Sequence, residues 1–241
     1  MRGTLSILLL AAVFAAPAAY GQLAVGRGCG AALQKEGDST TAYAAVANGR
    51  LRAYSAPGGA VVHTFRRLNK NGARTVFGVL GTVPDRHCQA AWYRVQLPIR
   101  PNGATGFVAA RAVTLYPVRT RIEIDLSQRR LSLFRRGRLV LRTTVGVGAP
   151  GTPTPTGRYY VNQRLYAADP GGPYGPGAVG ISAFSPVLTD WLQGGPIAVH
   201  GTSDPSSVGR AASHGCVRVQ NAVVRRLLRA TVTGSPVLIH S

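Results

Sequence analysis

Three cysteines occur in the chain, and Cys216 stands in the run Ser213-His214-Gly215-Cys216-Val217-Arg218, two residues after a histidine. A second histidine, His200, closes the apolar run Ile197-Ala198-Val199 and is followed by Gly201. A thiol with a reference pKa of about 8.5 is mostly protonated at neutral pH, and only its thiolate is strongly nucleophilic. Each unit of downward shift is worth about 1.4 kcal/mol, so an adjacent imidazole can raise the thiolate fraction from a few per cent to a majority. His214 is too close in sequence to reach the sulfur freely. His200 comes from a separate segment and can meet the thiol face to face, so His200 is the expected general base. Gly215 permits a tight turn, and the amides of Gly215 and Cys216 are candidate donors to a developing oxyanion.

Other chemistries compete for these residues. A buried, inert Cys216 with core histidines is one. Zinc held by His200, His214 and Cys216 is another, but no carboxylate or further cysteine stands at ligand spacing, so no metal site is expected. Redox exchange wants a second cysteine nearby, and none is present. Nucleophilic catalysis without a cofactor is the reading that uses all of these residues.

The elements that must position them are strands. "IAVHG" reads as a short buried strand ending at His200, residues 221–230 as a helix with Val223, Val224, Leu227 and Leu228 at helical spacing behind a capping Asn221, and "SPVLIH" as a last strand. Upstream, Ile122, Ile124 and Leu126, then Leu131 and Leu133, then Leu139, Leu141, Thr143 and Val145 recur at period two, with Arg135 to Gly137 as a turn. Residues 130–145 are therefore expected to form a hairpin. Pro150, Pro153 and Pro155 put a loop or edge before a strand at Tyr159 to Val161. Residues 165–180, rich in Gly and Pro, read as a surface loop on which Tyr166 and Tyr174 can rest over a cleft.

The N-terminal half has a different texture. Residues 1–21 run from one Arg through an apolar stretch into small residues, the pattern of a cleaved export signal, with an uncleaved inner-membrane anchor as the other reading. Residues 22–42 read as a linker. Residues 43–116 show short apolar alternations punctuated by Pro-Gly, Asn-Gly and Gly-Thr, which predicts a small all-β module. Pro117 marks the expected boundary to a second module at 118–241. In an oxidising compartment an odd cysteine count leaves one thiol free, and the economical arrangement pairs Cys29 with Cys88. Net charge is +20, almost all from Arg, but it is spread along the chain with no dense basic run and no aromatic stripe. That pattern disfavours nucleic acid and points to acidic cell-wall polymers as the partner of an exported protein.

Two resemblances sharpen this reading. "WYRVQLPIRPNGATGFVAARAVTLY" resembles the closing half of a bacterial Src-homology-3-like module, in which Trp92, Tyr93 and Phe107 would be core or groove aromatics. His200-Gly201 followed by Ser213-His214-Gly215-Cys216-Val217-Arg218 resembles the signature of the L,D-transpeptidase catalytic domain, the YkuD type. The run at 122–140, the Pro-Thr stretch and the closing "GSPVLI" fit it in order. The resemblance implies a mainly β protein: a small N-terminal Src-homology-3-like barrel, then a β-rich catalytic domain with one or two short helices. It implies a periplasmic or cell-wall enzyme acting on peptidoglycan stem peptides, with no cofactor and with sensitivity to carbapenems. Cys216 becomes the acyl-accepting nucleophile, His200 the general base oriented by the Gly201 carbonyl, and His214 and Gly215 supporting catalytic residues. Ser213, Arg218 and Tyr174 become candidate substrate-binding residues, Arg218 either gripping a carboxylate or bracing the loop through a salt bridge. Two alternatives stay open: a carboxypeptidase or murein hydrolase on the same Cys/His pair, and a non-catalytic wall-binding protein.

Overall fold

The computed structural model describes residues 34–35 and 37–241, and the expected leader, most of the expected linker and Cys29 lie outside these. Among the described residues the protein is mainly β, with one α-helix, Asn221–Ala230, and three single-turn 3-10 segments. Among the described residues no helix is long and apolar enough to cross a membrane. Cys88 is disulfide-bonded and Cys216 carries a free thiol.

The N-terminal module is one antiparallel sheet. Its strand order is Val61–Phe65, Leu51–Tyr54, Thr105–Ala109, Ala90–Gln96, Val76–Pro84, Ala42–Ala47 and Val113–Val118, and Gln34–Lys35 adds to Val76–Pro84. Gln34 and Lys35 therefore pair in the sheet, where a linker was expected. Alternating side chains close a small core of Ala45, Ala53, Phe65, Phe77, Tyr93, Val95 and Val108. Of the three aromatics singled out, Tyr93 enters this core, whereas Trp92 and Phe107 are half-buried and Trp92 lies edge-to-face on Tyr54.

Pro117 does not break the chain. It sits inside the edge strand Val113–Val118, paired with Tyr43, a place where a missing N–H costs no ladder bond. Only Arg119 separates this strand from Thr120–Asp125, the first strand of the second module.

That module is an eight-stranded mixed sheet, in the order Arg138–Thr144, Arg130–Arg135, Thr120–Asp125, Pro236–His240, Gly157–Tyr166, Gly177–Phe184, Pro196–His200 and Val217–Arg218. The hairpin, the His200 strand, the helix and the last strand fall where the hydrophobic period puts them. The helix buries Val224, Leu227 and Leu228 against the sheet, each worth roughly 1.5–3 kcal/mol of transfer free energy. The expected loop at 165–180 is shorter than read, because Leu165–Tyr166 and Gly177–Gly180 pair across a hairpin and leave only 167–176 between strands. The glycines that suggested a loop serve packing instead: a Cβ on Gly180 would meet Gln163 Cγ at 2.6 Å.

The modules are joined side by side as well as end to end. Tyr160 OH donates to the Val76 carbonyl at 3.0 Å, and Gln96 Nε2 donates to the Arg158 carbonyl at 2.6 Å. Asn102 exchanges two bonds with the Phe184 backbone, each 2.8 Å.

Candidate active site

Cys216 and His200 are brought together by sheet register. The strands Pro196–His200 and Val217–Arg218 are parallel, with Val199 opposite Val217 and His200 opposite Arg218. Val199 and Val217 are fully buried, so the residues flanking them, Ala198 and His200 on one strand and Cys216 and Arg218 on the other, share the opposite face. One strand spacing and a two-residue offset set the Cα atoms of Cys216 and His200 about 8 Å apart, a gap that a thiol and an imidazole side chain close between them.

The electrostatics leave this pair neutral at rest. Burial pushes the His200 imidazole down to about 4; the bond to the Gly201 carbonyl works against that shift and the Arg218 charge adds to it. Burial raises the Cys216 thiol above its ordinary range, offset by the Ala198 N–H that points at the sulfur and by Arg218. The expected resting thiolate is therefore replaced by a thiol, whose Sγ lies 3.9 Å from the Pro196 carbonyl. His200 Nδ1 meets the Gly201 carbonyl at 2.5 Å, and because a carbonyl only accepts, the ring proton sits on Nδ1 and Nε2 is the basic nitrogen.

The Gly201 carbonyl is held in turn. Asn221 Oδ1 accepts from Thr202 N–H at 2.8 Å and wedges between Gly175 and Gly201, where a Cβ would stand 2.2 and 2.3 Å from it respectively. Asn221 is thus the first residue of the helix and a staple of the His200-Gly201 turn. The cap position falls to Gln220, which makes no side-chain cap bond. Gly201→Ala should displace either Asn221 or the carbonyl that aims His200. We expect a loss of about a hundredfold in kcat with little change in KM, measured by steady-state turnover.

The nucleophile turn rests on residues that sequence reasoning passed over. Thr152 Oγ1 donates to the Ser213 carbonyl at 2.9 Å, and Thr154 Oγ1 donates to the Gly215 carbonyl at 2.8 Å while accepting from Gly148 N–H at 2.9 Å. The Pro-Thr stretch is therefore a cradle under the turn. Gly215, at φ +110°, supplies a backbone shape that other residues rarely adopt.

Ser213 belongs to this scaffold. It is buried, its hydroxyl donates to the Cys216 carbonyl at 2.5 Å, and it accepts from Gly215 N–H at 3.1 Å. This position does not fit the expected substrate contact. The same bond occupies one of the two amides expected to hold an oxyanion. Cys216 N–H has no protein acceptor among the described residues and is the donor left.

His214 is exposed and packs 5.1 Å from Trp191, away from the role of base. Tyr174 stands edge-on to the His200 ring at 5.0 Å, and Tyr166 lies nearby. Arg218 forms no ion pair among the described residues, and its positive charge acts on the thiol, the imidazole and the Asp204 carboxylate together. No three His, Cys, Asp or Glu side chains among the described residues converge to hold a metal ion. Cys216 opens onto a cavity of about 340 Å³ walled by Tyr174, Leu165, Leu188, Trp191, Ile197 and His214, and reached at its far end by Asn71 of the N-terminal module.

The L,D-transpeptidase catalytic domain profile matches residues 119–239, the stretch that holds Cys216, His200 and the residues that brace them. The chain belongs to the L,D-transpeptidase catalytic domain family. The YkuD protein of Bacillus licheniformis is 36% identical over 119 residues, covering 49% of this chain and 64% of that protein. The YkuD protein of Bacillus subtilis is 29% identical over 150 residues, covering 60% and 84%. Among solved structures, an Enterococcus faecium L,D-transpeptidase is 26% identical across 50% of this chain and 49% of its own, with a TM-score of 0.39. A Bdellovibrio bacteriovorus structure is 30% identical across 51% and 48%, with a TM-score of 0.42. The chain thus spans just under two thirds of the first of these YkuD proteins and about half of each solved chain. The family match runs over the C-terminal module, and the N-terminal sheet precedes it.

Proposed function

We propose that this protein is an exported, cysteine-dependent L,D-transpeptidase that joins peptidoglycan stem peptides through a thioester on Cys216. The observation that carries the reading is the free thiol on the same sheet face as a buried imidazole, whose Nδ1 proton is fixed on the Gly201 carbonyl. The Cys88 disulfide supports an oxidising compartment, either the periplasm or the cell wall.

The neutral pair dictates the order of events. As Cys216 Sγ attacks the carbonyl between the L-centre of a diamino acid and a terminal D-Ala, its proton passes to His200 Nε2 and the sulfur leaves the Pro196 carbonyl. The carbonyl oxygen gains charge within reach of Cys216 N–H and the Arg218 field. The intermediate collapses as the D-Ala amine departs with the proton from His200. A side-chain amine of a second stem then attacks the thioester, gives its proton to His200 and releases the thiol. None of these steps calls on a cofactor.

Incubation with a disaccharide tetrapeptide, followed by mass spectrometry of the products, tests this reading. Cross-linked dimer with loss of D-Ala is the expected product. Tripeptide alone would transfer the site to a hydrolase, and unchanged substrate would overturn the enzymatic reading.

A further inference from the structure

A second depression, a groove of about 1240 Å³, runs between the two modules. Its N-terminal wall carries Arg66, Arg67, Lys70 and Arg100, and no Asp or Glu lines it. None of these four cations has an ion-pair partner among the described residues. Arg66, Arg67 and Lys70 are exposed, whereas Arg100 is tied down by donating to the Ser185 and Gly194 carbonyls at 2.7 Å each. In the catalytic-module wall, Asn162 Oδ1 is buried without a hydrogen-bond partner among the described residues, an acceptor left open where buried acceptors are usually satisfied.

The groove is continuous with the catalytic cleft. Asn71, Gln163, Gln193 and Pro196 line both. The junction is fastened by Asn69 Nδ2 and Asn71 Nδ2 donating to Gln163 Oε1 at 2.8 and 3.1 Å, and by Gln193 Nε2 donating to Asn71 Oδ1 at 2.9 Å. Cys216 therefore divides one long trough. Along the strand Pro196–His200, Ala198 stands level with Cys216, His200 and the Tyr174 ring against it lie to one side, and Pro196, which lines both depressions, lies to the other.

Direction follows from the chemistry. The departing amine takes its proton from His200 and the incoming amine gives one to it, so both amines occupy the His200 end. The acyl group that stays on sulfur must run the other way. We propose that the basic groove seats the acyl half of the donor, the carboxylate-bearing stem between the reacting carbonyl and the sugar chain. Arg66, Arg67 and Lys70 meet its free carboxylates. This rests on the transpeptidase reading above and adds a substrate-binding role for the N-terminal module.

The test measures binding to the full chain carrying Cys216→Ala, so it does not depend on turnover. Titration calorimetry compares disaccharide tetrapeptide with the same compound amidated at its free stem carboxylates. Adding R66E, R67E and K70E should weaken the acidic ligand about tenfold at low salt, leave the amidated ligand within about twofold, and lose the distinction near ~0.5 M salt. The neutral pair R66Q and R67Q should show a smaller loss in the same direction, which separates lost attraction from added repulsion. Equal affinity of parent and charge-reversed protein for the acidic ligand overturns the proposal, as does failure of the parent to bind it. Failure of the wild type to turn over tetrapeptide that the Cys216→Ala protein binds would instead overturn the catalytic reading and leave the groove standing.

Discussion

Cys216→Ala should abolish product formation from disaccharide tetrapeptide, with a fall of at least ~10⁴-fold in kcat, because no other free thiol exists among the described residues to carry the acyl group. The same substitution should leave folding stability within about 1 kcal/mol, since it removes one half-buried sulfur with its long contact to the Pro196 carbonyl and a weak acceptor for the Ala198 N–H. Two measurements separate these effects. Chemical unfolding reads stability. Intact mass after iodoacetamide treatment without reductant should show one adduct on the wild type and none on Cys216→Ala, since Cys88 is held in a disulfide. Alkylation of the wild type should be slow at pH 7 and continue to rise through the ordinary thiol range, as a thiol raised by burial requires. More than about one per cent of wild-type turnover in the alanine variant would exclude Cys216 as the nucleophile.

His200→Gln should lower kcat about a thousandfold, because the amide can reach the Gly201 carbonyl but cannot receive the thiol proton. The wild-type pH profile carries a more specific signature. His200 must be neutral to act, and its folded pKa is about 4, so the acid limb of kcat/KM should fall near pH 4 and not near 6.5. Stability has a linked dependence. An unfolded chain binds a proton at this histidine below about 6.5, whereas the folded chain resists until about 4. The neutral buried imidazole therefore favours folding fully above pH 6.5, and that contribution, about 3 kcal/mol, is lost as pH falls from 6.5 to 4. Urea unfolding of the wild type and His200→Gln across this window should converge toward acid. Parallel curves would mean that His200 is not held neutral in the fold.

Much of this site was legible because its parts are local. Ile197 to Val199 announce a buried strand by composition, Val223 to Leu228 announce a helix by period, and the free thiol and its histidine follow from residue types. What escaped depended on contacts that leave no local pattern. Thr152 and Thr154 sit in a proline run that reads as a loop, yet their hydroxyls hold the turn 61 residues later. Asn221 has the right type for a cap, and nothing in its neighbourhood shows that the helix start would be spent on Thr202. Ser213, beside the thiol, invited a role toward substrate, but the turn uses its proton. The neutral resting state of the pair was also hidden, because desolvation is set by the walls around His200 and Cys216 and not by their spacing. Asn71 lies 145 residues before Cys216, and only the packing of two modules brings it to the cleft.

The single residue between those modules, Arg119, has a mechanical meaning. An enzyme hung on a flexible tether searches a sphere whose radius grows with the length of the tether. Here the edge strand of one module runs almost directly into the first strand of the other, and Tyr160, Gln96 and Asn102 fasten them along their sides. The pair behaves as a gauge of fixed reach: the thiol keeps one height and one angle relative to the N-terminal face.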